Sequence, residues 1–178
     1  MVFAFIPELL YLCSFPGIIL NQIVKLVFCK LFEIEVYDYS LFRLKLPVGY
    51  VNYEFPKTLF KHLVIVLGPF FVQSILACAL VILAYLARPD SLSLWFLCIW
   101  LSFSSGAHAI PDFSQTLDSL ITRVKESLGK GDIIVAFLLP PIALIGILSI
   151  FKAFFSHLID VTYWLLLLIV TIKIFNLV

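Results

Sequence analysis

Charge is scarce in this chain. Only 13% of its 178 residues are Asp, Glu, Lys or Arg, about half of what a soluble domain carries. Neither sign is in excess, with 12 basic against 11 acidic side chains, so no electrostatic footprint points to nucleic acid as a partner. Polar low-complexity sequence is missing too, and with it the composition of a disordered segment. Cysteine is confined to Cys13, Cys29, Cys78 and Cys98, all inside apolar runs and none in C-x-x-C spacing. That pattern argues against metal or redox work by thiols and makes them packing residues. The N-terminal Met1-Val-Phe-Ala-Phe-Ile-Pro7 has neither a basic n-region nor a small-residue cleavage site, so the first apolar segment is expected to be retained.

What is abundant is apolar surface: 63% of the residues are hydrophobic and 16% aromatic. Burying that much in a soluble core is not feasible; burying it in lipid is. A spanning helix takes about 20 residues, so five fit this length and leave too little for a second sizeable domain. Residues 63–86 and 158–172 are almost continuously apolar, without the alternation of barrel strands. The expected fold is mostly α, a single polytopic membrane bundle over residues 1–178 with about five spans, a small cytoplasmic antiparallel sheet and an interfacial amphipathic helix.

The first span covers residues 1–32 and is interrupted at Pro7 and Pro16-Gly17, so its regular helix is expected from about Ile18. Over residues 33–56 the period changes to two. Ile34 and Val36 alternate with Glu33 and Glu35, Phe42, Leu44 and Leu46 with Arg43 and Lys45, and Val51, Tyr53 and Phe55 with Asn52 and Glu54. These read as two or three short strands with a turn at Pro47-Val-Gly49, lying at the membrane face because open sheet edges are not tolerated in lipid. A second span at 59–87 contains Gly68-Pro69, and a tight turn at Arg88-Pro-Asp-Ser91 leads to a third at 92–110. Residues 112–128 carry one apolar stripe with Asp112 and Gln115 as capping partners, which suits a helix along the interface. Spans at 133–151, with Pro140-Pro141, and 158–177 complete the chain. Eight cations fall in the first and third connections and two, Arg88 and Lys152, in the second and fourth. The cation bias therefore predicts an N-terminus outside, with strands and interfacial helix in the cytoplasm.

Polar groups at bilayer depth are the informative ones, because a central Lys or Asp costs roughly 2.5–3.5 kcal/mol to insert. Asn21, Gln22 and Lys25 lie in the first span, Asn21 and Lys25 on one helical face. Snorkelling to the interface explains Lys25 but not two adjacent amides. Ser104, Ser105 and His108 cluster near the end of the third span, followed by Pro111 and Leu117-Asp118. A structural histidine and a solvated carboxylate are the plain explanations for His108 and Asp118.

The stretch Asn21-Gln-Ile-Val-Lys25-Leu-Val-Phe-Cys-Lys-Leu-Phe-Glu-Ile-Glu-Val36 resembles the first core helix of the site-2 protease family, intramembrane zinc metalloproteases in which H-E-x-x-H leads into a sheet. Asn21, Gln22 and Lys25 occupy the motif positions. The strands, Gly49-Tyr50-Val51, Pro56-Lys57 ahead of the second span, Gly68-Pro69 within it, His108-Ala-Ile-Pro111 and Leu117-Asp118 are similar to later parts of that framework. The resemblance covers residues 17–118 and leaves out the last two spans.

In such a protease two His and a distant Asp hold Zn²⁺ and the Glu deprotonates the bound water. Here an amide at Asn21 is a poor zinc ligand, Gln22 is no base, and an ammonium at Lys25 repels a dication. No catalytic residue, metal ligand or cofactor is therefore assigned, and zinc is expected only if the motif is restored. Lys25 is expected to replace the metal electrostatically, paired with Asp118 and hydrogen-bonded by Asn21 and Gln22; Asp112 and Glu8 are rival partners for it. The leading functional expectation is a non-catalytic module, embedded in membrane lipid, that binds a transmembrane or juxtamembrane segment of another protein. Its candidate contacts are Arg43, Lys45, Tyr53, Gln73 and His108, with main-chain pairing to the strands as the mode. An intramembrane zinc metalloprotease inactivated by substitution and a structural subunit of a membrane complex are the alternatives.

Overall fold

The computed structural model describes residues 11–43, 48–88, 91–110 and 158–175, with isolated backbone positions at 124, 140, 143 and 147. Among these residues the protein is mostly helical with one two-stranded antiparallel sheet. Lys45, Asp118, the interfacial helix expected at 112–128 and the span expected at 133–151 lie outside the described residues, apart from those isolated positions.

Helix α1 runs over Phe15–Leu31, three residues earlier than Pro16-Gly17 suggested. The reason is that Pro16 sits in the first turn, where its missing N–H is needed by no one and its fixed φ is already helical. The helix ends in a Schellman turn: the Ile34 N–H reaches Cys29 O at 2.9 Å and the Glu33 N–H reaches Lys30 O at 3.2 Å. The left-handed residue of that turn is Glu33, with φ 56°, where glycine is the usual occupant.

Strands β1 (Val36–Ser40) and β2 (Tyr50–Tyr53) pair antiparallel, Ser40 opposite Tyr50 and Val36 opposite Tyr53, with an irregularity between Val36 and Asp38. The run expected at 42–46 lies largely outside the described residues. At its start the Arg43 N–H closes a loop on Val48 O at 2.7 Å, and the Tyr50 hydroxyl donates to Asp38 at 2.6 Å across the ladder.

Helix α2 occupies Leu59–Ala87 and α3 Leu92–Ala107. At 29 residues α2 is about 43 Å long, enough to cross a hydrocarbon core of about 30 Å with Pro69 inside it. The Ser91 side chain caps α3 by accepting from the Leu94 N–H at 3.3 Å. Helix α4 covers Leu158–Phe175; it and α2 are the two described helices long and apolar enough to span a membrane.

The helices are knitted by small residues and hydroxyls. Ser105 Oγ donates to Gln73 O at 3.1 Å and Ser102 Oγ to Ala77 O at 3.0 Å, so α3 descends antiparallel to α2. Cys13, Gly17 and Asn21 meet Trp100, Ser104 and His108 in turn, a constant offset of 87 residues that sets α1 parallel to α3. A methyl on Gly17 would collide with Ser104 O, so only glycine permits this approach. Helix α4 joins through Tyr163, whose hydroxyl lies 2.8 Å from Ser74 Oγ, and through Trp164, whose indole donates to Ser102 at 3.2 Å.

The bundle buries polar side chains among its apolar core and leaves large apolar ones on its exterior. Gln73 and His62 are wholly buried, while Ile75, Leu86 and Ile174 are 70%, 62% and 68% exposed. An exterior of this kind over two span-length helices is compatible with insertion into a bilayer.

Candidate functional site

Gln73 is the middle residue of α2, and the polar groups of the bundle gather at its level. Its Nε2 donates to Gly17 O at 2.9 Å. One turn further along α1, Asn21 Nδ2 donates to His108 O at 2.9 Å, holding the carbonyl that α3 leaves open at its end. Ser104 Oγ donates to Ser14 O at 2.8 Å and accepts from the Gly17 N–H at 2.7 Å. The His108 ring completes the layer, with Nε2 2.7 Å from Ser14 Oγ and a stacked contact to Tyr11. Asn21, Gln73 and His108, from α1, α2 and the end of α3, thus belong to one polar layer at mid-bundle.

The donors of this layer are used; several of its acceptors are not. Asn21 Oδ1, Gln22 Oε1 and Gln73 Oε1 are buried and accept no hydrogen bond among the described residues. An orphaned buried acceptor costs about 1–3 kcal/mol, and three of them lie in this one part of the bundle. Gln22 faces the sheet side, where its Cγ and the Leu41 carbonyl crowd Gly49 so closely that a methyl there would meet both at 3.2 Å or less. The amide is therefore carried to the foot of the hairpin.

Lys25 follows one turn after Asn21 and is half-buried. The hydrogen bonds expected from its ammonium to Asn21 and Gln22 are not made, because both amide oxygens lack a donor. Its proposed counter-charge, Asp118, is outside the described residues. Among the described residues there is no group of three or more His, Cys, Asp or Glu side chains that could hold a metal. The donor set at the motif positions does not fit zinc either: two amides and an ammonium offer one weak class of ligand and a repelling charge.

The remaining expected contacts lie toward the sheet. Tyr53 ends β2, and burial, with the Cys29 thiol adding, pushes its phenol up to about 12. Arg43 lies over the Tyr50 ring at 4.7 Å. The Tyr50 phenol is raised as well, first by its bond to Asp38 and then by desolvation and the Asp38 charge. Neither residue is brought to Gln73 by any described hydrogen bond, so the sheet and the mid-bundle layer are two separate parts joined by α1.

Three buried polar residues escaped the sequence reasoning. His62 is wholly buried under Phe55, ring centroids 4.4 Å apart. Asp160, the lone acid of the last span, and Ser14 line a pocket of about 10 Å³ with His108 and Tyr11, the room of one water. The acid of a span otherwise almost free of polar groups was the available signal for this pocket. Compared with known protein families, curated proteins and solved structures, the chain matches none.

Proposed function

We propose that the chain is a non-catalytic integral membrane protein, built on a site-2-protease-like scaffold, that binds a transmembrane or juxtamembrane segment of another membrane protein. The observation that carries this function is the buried, undonated amide oxygen of Gln22 at the foot of the hairpin. Such a group is tolerated where an incoming main chain supplies the N–H donor, and main-chain pairing works without metal. The order of parts supports the scaffold: a first helix carrying Asn21, Gln22 and Lys25, a hairpin at its foot, a second helix with Gly68-Pro69 inside it, and a third that ends at His108.

In this proposal the bundle has about five spans, the hairpin is cytoplasmic, and Lys25 stands in the place of zinc with Asp118 as its counter-charge. A second function, a structural subunit of a membrane complex, is favoured by α4, whose outward residues Leu158 and Phe175 are among many left exposed along it. A photo-crosslinking amino acid at Tyr53, with the same group at Ile75 as reference, distinguishes the two. Segment binding predicts a discrete crosslinked membrane protein from Tyr53 that disappears in Gln22→Met. Equal products from both positions would favour the structural subunit, and crosslinks to lipid alone would refute both.

A further inference from the structure

At the sheet-side ends of α1 and α2 lies a groove of about 260 Å³ whose lining includes Phe32, Glu33, Glu54, Phe55, Lys57 and Lys61. It is remote from the mid-bundle layer and lies at the N-terminal end of α2, one of the two described helices of span length. Two anions, two cations and two aromatic rings share this one concavity. Lys61 is held against its wall, Nζ donating to Phe32 O at 3.2 Å and lying 5.7 Å from the Phe32 ring centroid. An ammonium has three donors, so this bond leaves others for a ligand. Glu33 occupies the left-handed position of the Schellman turn, φ 56°, where glycine would be less strained. The fold thus keeps a carboxylate in the groove at a conformational cost.

We propose that this groove binds the headgroup of a phospholipid whose only headgroup charges are a phosphate and a primary ammonium, a phosphatidylethanolamine. The phosphate takes Lys57 and Lys61, the ammonium takes Glu33 and Glu54, and the rings of Phe32 and Phe55 cover the glycerol and first methylenes. A choline headgroup has no N–H for the carboxylates, and a glycerol headgroup has no cation for them. This inference rests on the chain being a membrane protein, as proposed above, and not on the identity of its protein partner.

The test is native mass spectrometry of the full chain in detergent with short-chain phosphatidylethanolamine, phosphatidylcholine and phosphatidylglycerol in competition. The ethanolamine lipid is expected to be retained roughly tenfold over the other two, the worth of one charge-assisted hydrogen bond. Glu33→Gly relieves the strained turn, so it is expected to raise thermal stability while the preference collapses. Lys57→Gln is expected to weaken the ethanolamine and glycerol lipids together. Equal retention of the three lipids, a preference for phosphatidylglycerol, or an unchanged preference in Glu33→Gly would overturn the proposal. Displacement by free phosphoethanolamine at equal concentration would overturn the lipid as the ligand. Alkaline extraction of membranes reads insertion separately: a chain released as soluble protein removes both proposals, and an inserted chain without headgroup preference removes only this one.

Discussion

Asn21 donates its side-chain amide to the backbone carbonyl of His108 at 2.9 Å, across 87 residues of sequence. The bond closes the end of α3 against α1, and it leaves the other half of the same amide, Oδ1, without a donor. Asn21 thus both locks the bundle and presents an unmet acceptor, and neighbouring Gln22 contributes only the latter.

The two residues should therefore respond in opposite directions. Asn21→Leu removes a buried interhelical bond and strands the His108 carbonyl, a loss of about 1 kcal/mol in equilibrium unfolding from detergent. Gln22→Met removes an orphaned oxygen at similar volume and should gain about 1 kcal/mol while abolishing partner capture. A stability loss in both would mean that Gln22 is bonded in the folded bundle.

Gly17 tests the parallel packing of α1 on α3. A methyl at this position meets Ser104 backbone rather than a movable side chain, so Gly17→Ala should cost roughly 1–3 kcal/mol or more. Ile75→Ala, on the exposed face of α2, should change stability by less than about 0.5 kcal/mol.

Part of this helical frame was legible beforehand, because a long apolar run is displayed directly by the sequence. The second span was expected at 59–87 and α2 is Leu59–Ala87. The sheet was less legible. β1 buries no residue and its three central side chains, Tyr37, Asp38 and Tyr39, are all exposed, so it carries no period-two pattern. It is held by its ladder and the Tyr50–Asp38 bond. The mid-bundle layer was visible in its members but not in its connections. Nothing in the local sequence says that His108 turns its carbonyl to Asn21 and its ring to Ser14. His62 left no trace at all, one histidine in an apolar flank.

Lys25 and Asp118 form a testable pair. Lys25→Met and Asp118→Asn should each cost up to about 3 kcal/mol, and the double substitution less than the sum, because removing both charges leaves none uncompensated. Strict additivity in that double-mutant cycle would refute the pairing and leave Lys25 as a snorkelling residue.

The half-buried phenol of Tyr53, raised to about 12, makes the hairpin sensitive to alkaline pH. Its pKa is higher folded than the ordinary value of about 10, so its contribution is complete below pH 10 and is lost as pH rises toward 12. Tyr53→Phe should remove that part of the pH dependence. An identical alkaline profile in the variant would show that the phenol is not desolvated.

Zinc stoichiometry of the restored motif is the most direct measurement. Asn21→His, Gln22→Glu and Lys25→His, introduced together, should give a folded chain that binds one zinc, as judged by metal analysis after purification, while the unaltered chain binds none. A folded triple variant without zinc, or zinc carried stoichiometrically by the unaltered chain, would contradict a metalloprotease scaffold whose metal has been replaced by a lysine.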